Sequence, residues 1–488
     1  MYYKLKNYSF LFILAILFSA CTKTDVKPDY VLDGDAPAKD LQLVESELNG
    51  AYGGFRSIDY YGSNGGSSGF AALPDIMGSD FVETFESLGN YRVMSEWKYA
   101  SDQGWVENTW AAAYRIISRA NRVLRDVDLF AAENQKKVNR IKGQALAIRA
   151  HVHFDILRYW APDFARNSSA LCAPYISTFE SIPTKPARIT VKDYYDKIMV
   201  DLNAAKGLLA GNNIDQIISI PSNRSKIDQA TVYAMLARVN LYSQQWNDAM
   251  LNADLALAAR PIEPLSNFSK IWKDEPTSEV IWAVNFANQA EGAPYENIYF
   301  VRGDRLSYQP TYEMVDDLAL YALNDGRFDN YMVYNLARPK LLKYIGKGTA
   351  TDGVVDWKVF RGGEMALISA EAKARLGGMD ASSLTTLNIL RSNRYTNSNY
   401  PTPATNAALL TEILRQRRLE LFAEGHRFFD QKRLGKQPFT RSDCNGSIAG
   451  NSYPSSICSP SNTVRSWTWP IPFNEIVVNP NLSQNTGY

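Results

Sequence analysis

The chain has 488 residues, with 52 Lys and Arg against 51 Asp and Glu, so its formal net charge at pH 7 is +1. A chain of this length can bury a large core, and a charge so close to zero gives no long-range field to attract nucleic acid. Aromatic residues are plentiful, at 12% of the sequence.

The first segment, residues 1–20, has the features of a signal peptide. Two lysines precede an apolar run over residues 10–18, which is shorter than the roughly 20 residues that span a bilayer. Two small residues then precede Cys21, a pattern that resembles a bacterial lipobox. We predict lipidation of Cys21, with plain secretion as the alternative, and a tether over residues 21–38. Residue 23 is Lys rather than the Asp that favours inner-membrane retention, so an outer-membrane address is favoured.

Most of the remaining chain shows helical periodicity. Apolar and small residues recur three and four positions apart in six segments: 105–127, 137–164, 191–209, 361–378, 382–395 and 409–433. Trp105 and Trp110 in the first of these segments are expected in the core.

The clearest internal unit covers residues 230–261 and fits one tetratricopeptide-like pair of helices. The pattern consists of Tyr233, Leu236, Ala237, Trp246, Ala249, Ala253, Ala256 and Pro261. Small residues at these positions let two antiparallel helices approach closely, while the rings fill the space between them. Such a unit is either a peptide-binding surface or a scaffold, and we favour the scaffold.

Two regions interrupt the helical pattern. Residues 53–104 are rich in Gly, Ser and aromatic residues, and residues 262–360 alternate short strand-like runs with polar loops. Long loops on a rigid scaffold commonly carry binding sites. The last two cysteines, Cys444 and Cys458, bracket a Gly/Ser/Asn-rich loop, so we predict that they form a disulfide and that Cys172 is free and buried.

The segment RRLELFAEGHRFFDQKR, residues 417–433, has the densest charge in the chain. We predict a structural ion network there, formed by Arg417, Arg418, Glu420, Glu424, Arg427 and Asp430. Helical spacing lets Arg417 meet Glu420, while Arg418 and Arg427 are placed between Glu420 and Glu424, and Gly425 redirects the chain.

A catalytic carboxylate pair would need environments that move the two pKa values apart, whereas interspersed guanidinium groups lower them together. His151 and His153 are two positions apart and make a poor metal pair. We find no nucleophile elbow, phosphate-binding glycine loop or zinc spacing. The sequence therefore predicts no catalytic residues, no cofactor and no metal site, although a structural calcium ion remains open.

Several separated segments, together with the lipobox, resemble motifs of one family in the order that the family has them. These segments are residues 114–124, 145–164, 325–332, 361–377, 417–435 and 469–488. The chain resembles the SusD/RagB family of nutrient-binding outer-membrane lipoproteins of the Bacteroidetes. Gln416, Gln431 and Thr486 depart from its usual residues, at positions that we assign to the scaffold.

The resemblance implies a mainly α fold, in which tetratricopeptide-like helix pairs form a scaffold with long irregular loops and a few short strands. One compact body would contain an N-terminal region, residues 39–261, and a C-terminal SusD/RagB region, residues 262–488. The implied function is noncatalytic binding of glycans at the cell surface and their delivery to a SusC-like TonB-dependent transporter. Peptide binding in the same kind of transport is the alternative, and a glycoside hydrolase on a helical scaffold is a further one.

The resemblance also places the ligand on loops from the two irregular regions. Sugars have apolar CH faces and rims of hydroxyl groups, so exposed rings with polar neighbours are the expected contacts. The candidate ligand residues are Tyr60, Tyr61, Phe85, Asn90, Tyr91, Arg92 and Trp97 from the first region, and Tyr295, Tyr299, Arg302 and Tyr308 from the second. Core packing is the competing interpretation for each ring.

Overall fold

Helices dominate the fold of this chain, as a computed structural model shows. The chain divides into two units, Met1–Ala38 and Lys39–Tyr488, and all elements named below belong to the second. The structure describes residues 36–63, 65–84, 86–180, 184–288, 306–319, 325–333, 340–378, 381–397, 400–436, 438–442, 458–459 and 465–488.

The helices follow the predicted segments closely and confirm the mainly α fold. The first nine are α1 (Leu41–Gly54), α2 (Leu73–Ile76), α3 (Arg92–Ser95), α4 (Gly104–Asp126), α5 (Gln135–Trp160), α6 (Val191–Leu208), α7 (Gln229–Tyr242), α8 (Trp246–Ala259) and α9 (Leu265–Trp272). The others are α10 (Tyr312–Ala319), α11 (Arg327–Tyr331), α12 (Gly362–Gly377), α13 (Ala381–Ser392), α14 (Asn406–Glu420), α15 (Arg427–Arg433) and α16 (Phe473–Val478).

Among the helix starts that the structure describes, five have a side-chain cap. The caps of α1, α5, α6, α7 and α14 are Asp40, Asn134, Thr190, Asp228 and Thr405. In each case a side-chain oxygen accepts a hydrogen bond from a backbone N–H of the first turn, which would otherwise have no partner inside the helix. These local signals explain why the starts of these helices can be predicted from the sequence.

The tetratricopeptide-like pair is confirmed as α7 and α8. Ala249, Ala253 and Ala256 of α8 are buried, as the close approach of two helices requires. Helix α12 also packs against α8. Its small residues recur at four-residue intervals, in a core that it shares with α13 and α14. Scaffold helices from both halves of the sequence therefore pack together.

The described strands form three antiparallel two-stranded sheets. Strand β1 (Phe81–Glu83) pairs with β3 (Tyr308–Pro310), β2 (Val280–Val284) with β6 (Trp357–Arg361), and β4 (Met332–Val333) with β5 (Lys340–Leu341). The strand-like run in residues 279–286 is thus confirmed as β2. Its five residues are all buried, which explains why the run is uniformly apolar rather than alternating.

The cysteine predictions are partly covered by the structure. Cys172 is free and buried, as predicted, and burial raises the pKa of its thiol to about 12. Cys458 is disulfide-bonded. Cys444 lies outside the described residues, so its pairing with Cys458 stays a prediction. Cys21 also lies outside them, and its lipidation stays a prediction as well.

Candidate functional site: the loop junction

The short sheet of β1 and β3 joins the two irregular regions of the sequence. Phe81 lies opposite Pro310, and Glu83 lies opposite Tyr308. Two further hydrogen bonds extend the contact, from Thr84 N to Ser307 O at 3.0 Å and from Leu306 N to Glu86 Oε2 at 2.8 Å. We name this surface the loop junction and define it as residues 81–84, 86–92, 306–310 and Trp105.

A stacked pair of rings lies at the loop junction. The indole of Trp105 stacks on the phenol of Tyr91, with ring centroids 5.3 Å apart and an interplanar angle of 23°. Trp105 Nε1 donates to the main-chain oxygen of Asn90 at 3.1 Å. Tyr91 is buried, whereas Trp105 keeps part of its surface exposed and Asn90 is exposed. The inner ring and the hydrogen bond therefore fix the orientation of the outer one.

An arginine with an exposed part lies next to this pair. Arg92 donates from Nε to Glu83 Oε2 at 3.0 Å and from Nη2 to Glu83 Oε1 at 3.1 Å. The Glu83 side chain is fully buried, while that of Arg92 is 45% exposed. A two-point ion pair of this kind orients the plane of the guanidinium group.

Exposed apolar groups complete the surroundings. The side chain of Leu88 is 71% exposed and that of Val93 is 36% exposed. The loop junction and the residue after it thus carry a partly exposed indole, an exposed amide, a guanidinium group and exposed apolar side chains, so they offer both a ring and hydrogen-bonding groups. This combination suits sugar rings, which have the same two kinds of surface.

Trp105 was assigned to the core from the sequence, and that prediction is wrong for this residue, although it is confirmed for the buried Trp110. The buried face of α4 follows Val106, Trp110, Ala113 and Ile117 at intervals of three and four. The buried face also includes Thr109, four positions after Trp105, so helical spacing alone would place Trp105 on that face. Its place in the first turn of α4, directly after a loop, is the one sequence signal of its partial exposure.

The first pair of predicted ligand tyrosines is buried. Tyr60 has no exposed surface and donates its hydroxyl hydrogen to Asp155 Oδ2 at 2.6 Å. The Tyr61 hydroxyl lies 2.8 Å from His151 Nε2. Both rings pack around Phe55, because the loop that carries them folds back onto α5, whose polar side chains satisfy the hydroxyl groups. Exposed platforms at these positions are excluded.

Three more predicted rings are also in the interior. Trp97 packs edge-on against Trp467 at 4.7 Å and donates to Met77 O at 3.0 Å. Tyr308 is only 1% exposed because β3 is buried on both faces. Tyr91 donates its hydroxyl hydrogen to Gly66 O at 2.6 Å, and its ring acts as the support for Trp105 rather than as a contact surface.

The remaining candidates divide into two groups. Asn90 and Arg92 are exposed at the loop junction, where the structure brings them together with Trp105. Phe85, Tyr295, Tyr299 and Arg302 lie outside the described residues, and their assignment to the ligand surface stays a prediction.

The predicted ion network is present and is deeply buried. Its centre is Glu420, which has no exposed surface and accepts hydrogen bonds from Arg361 at 2.7 Å, Arg394 at 2.9 Å and Arg327 at 3.4 Å. We name the group around it the central charge cluster. Its members are Lys343, Arg327, Arg361 and Arg394, with Glu279, Asp325, Glu420 and Glu424. Four cations thus face four carboxylates.

The partners within the network differ from the predicted ones. Arg417 pairs with Asp430 at 2.9 Å and with Glu364 at 3.4 Å, instead of with Glu420. Arg361 lies between Glu420 and Glu424, where we expected Arg418 and Arg427. The helical-neighbour argument fails because burial brings arginines from distant segments to these acids.

Arg418 connects the network to the loop junction. Its guanidinium group contacts Asp80 Oδ1 at 2.8 Å and Glu313 Oε1 at 2.8 Å. Asp80 immediately precedes β1, and its main-chain oxygen accepts from Thr311 N, which immediately follows β3. One arginine of the network therefore fixes the point at which the two loop regions meet.

Electrostatics in the network oppose acid–base chemistry. Burial alone would raise the pKa of Glu420, but Arg394, Arg361 and Arg327 outweigh it and keep that pKa below its usual range. Asp430 behaves in the same way, with burial opposed by Arg417 and Arg433. Carboxylates held ionised by permanent cations are poor proton donors near neutral pH.

The described residues contain neither a candidate metal site nor a membrane-spanning helix. Over the described ranges, no group of three or more His, Cys, Asp or Glu side chains is arranged to hold a metal ion. In the same part of the chain, every helix is too short or too polar to cross a bilayer. The open question of a structural calcium ion stays untested.

Comparison with known proteins identifies the family. Residues 306–488 match the SusD family, and residues 71–241 match a second SusD-like family, described as starch-binding and associating with the outer membrane. The two matched segments together cover most of the chain. This chain belongs to the SusD family. The family membership that the sequence motifs predicted is therefore confirmed.

Individual members of the family are distant relatives. SusD-like protein P38 of Formosa agariphila is 22% identical over 444 residues, which cover 78% of this chain and 79% of that protein. SusD-like protein P25 of the same species is 24% identical over 261 residues, and the chain spans about half the length of this relative, 46%. A candidate sugar-binding protein of Bacteroides vulgatus has a solved structure with a TM-score of 0.78 and 25% identity, over 93% of this chain and 100% of that one.

Proposed function

We propose that this protein binds glycans at the cell surface through the loop junction. The observation on which this rests is the partly exposed indole of Trp105, which stacks on Tyr91 and donates to the main-chain oxygen of Asn90, in a segment that also carries the exposed Arg92. Family membership and the sugar-binding description of a structural relative support the same substrate class. One ring and a few polar contacts predict a weak single-site affinity, micromolar to millimolar in order of magnitude.

The proposed role is capture without catalysis. The acids of the ion network are neutralised by arginines, and the polar groups of the loop junction, an amide and a paired guanidinium, are suited to binding. The lipid anchor at Cys21 would keep the protein on the outer membrane. Delivery to a SusC-like TonB-dependent transporter would then follow capture, with this protein covering the transporter barrel.

The proposal is tested by measuring the binding of a panel of oligo- and polysaccharides to the purified full-length chain in detergent. We expect binding to at least one glycan, with no release of reducing sugar on long incubation. Trp105→Ala should weaken that binding at least tenfold. Release of products would instead favour a hydrolase.

Trp246→Ala is the matched control for the peptide-binding alternative. Trp246 is also partly buried, but it lies at the start of α8 in the tetratricopeptide-like pair. The guanidinium group of Arg375 lies over its ring. We expect glycan binding by this variant to equal that of the wild type. Loss of binding with Trp246→Ala but not with Trp105→Ala would move the site to the helix pair and overturn the proposal.

For the transporter, the test is co-purification. Outer membranes of the source cell, solubilised in detergent, should yield a TonB-dependent transporter bound to this protein in about equal amounts. Recovery of this protein without such a transporter would contradict the delivery step while leaving glycan capture intact.

A further inference from the structure

A cavity that shares no lining residue with the loop junction contains an unusual set of charged groups. It has a volume of about 480 Å³ and is lined by the end of α1, the segment 221–226, the connection from α9 to β2, and parts of β2 and β6. Charged and polar side chains supply much of the wall. Arg56, Arg224, Lys226 and Lys358 are its cations, and Asp274, Glu275 and Asp356 are its acids.

Arg224 is a buried cation that forms no ion pair with any residue that the structure describes. Its side chain lines the cavity, and the residue is only 9% exposed. Within the described part of the chain, its guanidinium group makes a single hydrogen bond, from Nη1 to Ser219 Oγ at 3.3 Å, and its Nε has no partner. The main chain is fixed, because Arg224 O accepts from Ala283 N of β2 at 3.0 Å. Buried guanidinium groups normally meet a carboxylate, so this one lacks an anion.

The nearby acids are already paired with other cations. Asp228, the nearest acid in sequence, binds Arg260 at 2.5 Å. Asp274 binds Lys358 at 2.5 Å, and Asp356 binds Lys347. Glu275 is exposed. None of these acids forms an ion pair with Arg224 in the described part of the chain, although Asp228 attracts it at longer range.

Other groups in the cavity wall could also contact an anion. Lys226 lies over the Tyr52 ring at 4.1 Å, and its Nζ donates to an amide oxygen, Asn49 Oδ1, at 2.5 Å, rather than to a carboxylate. Thr277 Oγ1 is buried and has no hydrogen-bond partner among the described residues. Arg56 lines the same cavity. An oxygen-rich anion would meet two or more cations here.

We propose that this cavity binds an oxyanion, a carboxylate or a sulfate group, through Arg224 with help from Lys226. The inference does not rest on the loop junction, so the two proposals can fail separately. Burial, together with repulsion from Arg260, lowers the pKa of Arg224 to about 10, and a bound anion would counter both effects. Guanidinium groups suit carboxylate and sulfate because they can donate two parallel hydrogen bonds.

Isothermal titration calorimetry on the purified full-length chain tests the inference. The probes are sodium sulfate and sodium glucuronate at constant ionic strength, with glucose as the neutral counterpart of glucuronate. We expect one saturable site for both anions and no binding of glucose at this site. Arg224→Gln should weaken anion binding about tenfold or more, the size of one charge-assisted contact.

Two further variants make the outcome decisive. Lys226→Gln should weaken binding about threefold or more, and it serves if Arg224→Gln does not fold. Arg115→Gln removes the same charge from an exposed position on α4 and should leave binding unchanged. The proposal is overturned if neither anion binds the wild type, if glucose binds as well as glucuronate, or if the variants at Arg224 and Lys226 bind like the wild type.

Discussion

The central charge cluster and the loop junction both contain paired charged groups, yet they differ in exposure and hence in role. Glu420 and its three arginines have essentially no contact with solvent, and every charge is matched by another. At the loop junction, Arg92 and Trp105 each bind an interior partner with one side and keep the other exposed. The residue types that could form a site do so only where one face remains available.

The largest expected effect concerns Glu420→Gln. This change removes one of four acids while three arginines remain buried around the position, so uncompensated positive charge is left in the interior. We expect a loss of about 3–5 kcal/mol in the free energy of unfolding, measured by urea denaturation.

Glu133→Gln, at an exposed position, is the control for that prediction and should change stability by less than about 0.5 kcal/mol. If Glu420→Gln were as mild as Glu133→Gln, the cluster would not be a structural network, and the distinction from the loop junction would disappear.

Gly425→Ala should have the next largest effect. Gly425 has a φ of +74°, and a Cβ there would lie 2.9 Å from the main-chain oxygens of Ala71 and Phe70. We expect a loss of about 2 kcal/mol or more, from the left-handed backbone and the clash together. Gly50→Ala in α1 has open space around it and should instead stabilise by about 0.5–1 kcal/mol. Equal melting temperatures for the two variants would contradict this.

A smaller effect, dependent on pH, is expected at Asp75. Burial raises the pKa of Asp75 to about 8, despite its hydrogen bond from Gly425 N. The unfolded chain releases this proton near pH 4 and the folded chain only near pH 8. Between these values the folded state binds more protons, so stability falls as pH rises.

Asp75→Asn removes that titration. Relative to the wild type, the variant should gain at least about 1 kcal/mol between pH 5 and pH 8, as measured by urea midpoints at both pH values. Parallel pH profiles for the two proteins would show that Asp75 is ionised in the folded chain.

The smallest stability effect is expected at Trp105. Trp110 on the same helix, α4, provides the comparison. Trp105→Ala removes a partly exposed ring and should cost about 1 kcal/mol or less, whereas Trp110→Ala, in the core, should cost about 3–5 kcal/mol. Thermal melts of the two variants measure the difference. A cost at Trp105 equal to that at Trp110 would place both rings in the core and remove the exposed face that the proposed function needs.

Local patterns predicted the scaffold well. Caps such as Asp228, the small residues of α8 and the break at Gly425 act over a few positions, so the sequence displays them directly. The ion network was predicted as a structural feature, but its pairing was not. Arg361 and Arg394 reach Glu420 from 59 and 26 residues away, and helical spacing has no information about such contacts.

The ligand surface was predicted less well than the scaffold, since exposure depends on tertiary packing. Tyr60, Tyr61 and Trp97 lie in a Gly- and Ser-rich region that looked like a surface loop, but it folds inward where Asp155, His151 and Met77 satisfy their polar atoms. The family resemblance placed the ligand on loops from both irregular regions; the pairing of β1 with β3 brings parts of these regions together, and binding of the ligand there stays a prediction. Which rings would face outward there could not be predicted from the composition of the loops.

Hydrogen–deuterium exchange with and without a saturating glycan is the most direct test of the central claim. We predict that the ligand slows exchange in peptides from residues 86–109 and 306–310, which contain the loop junction, and leaves α7 and α8 unchanged. Slower exchange confined to residues 229–259 would place the ligand on the helix pair and contradict the account.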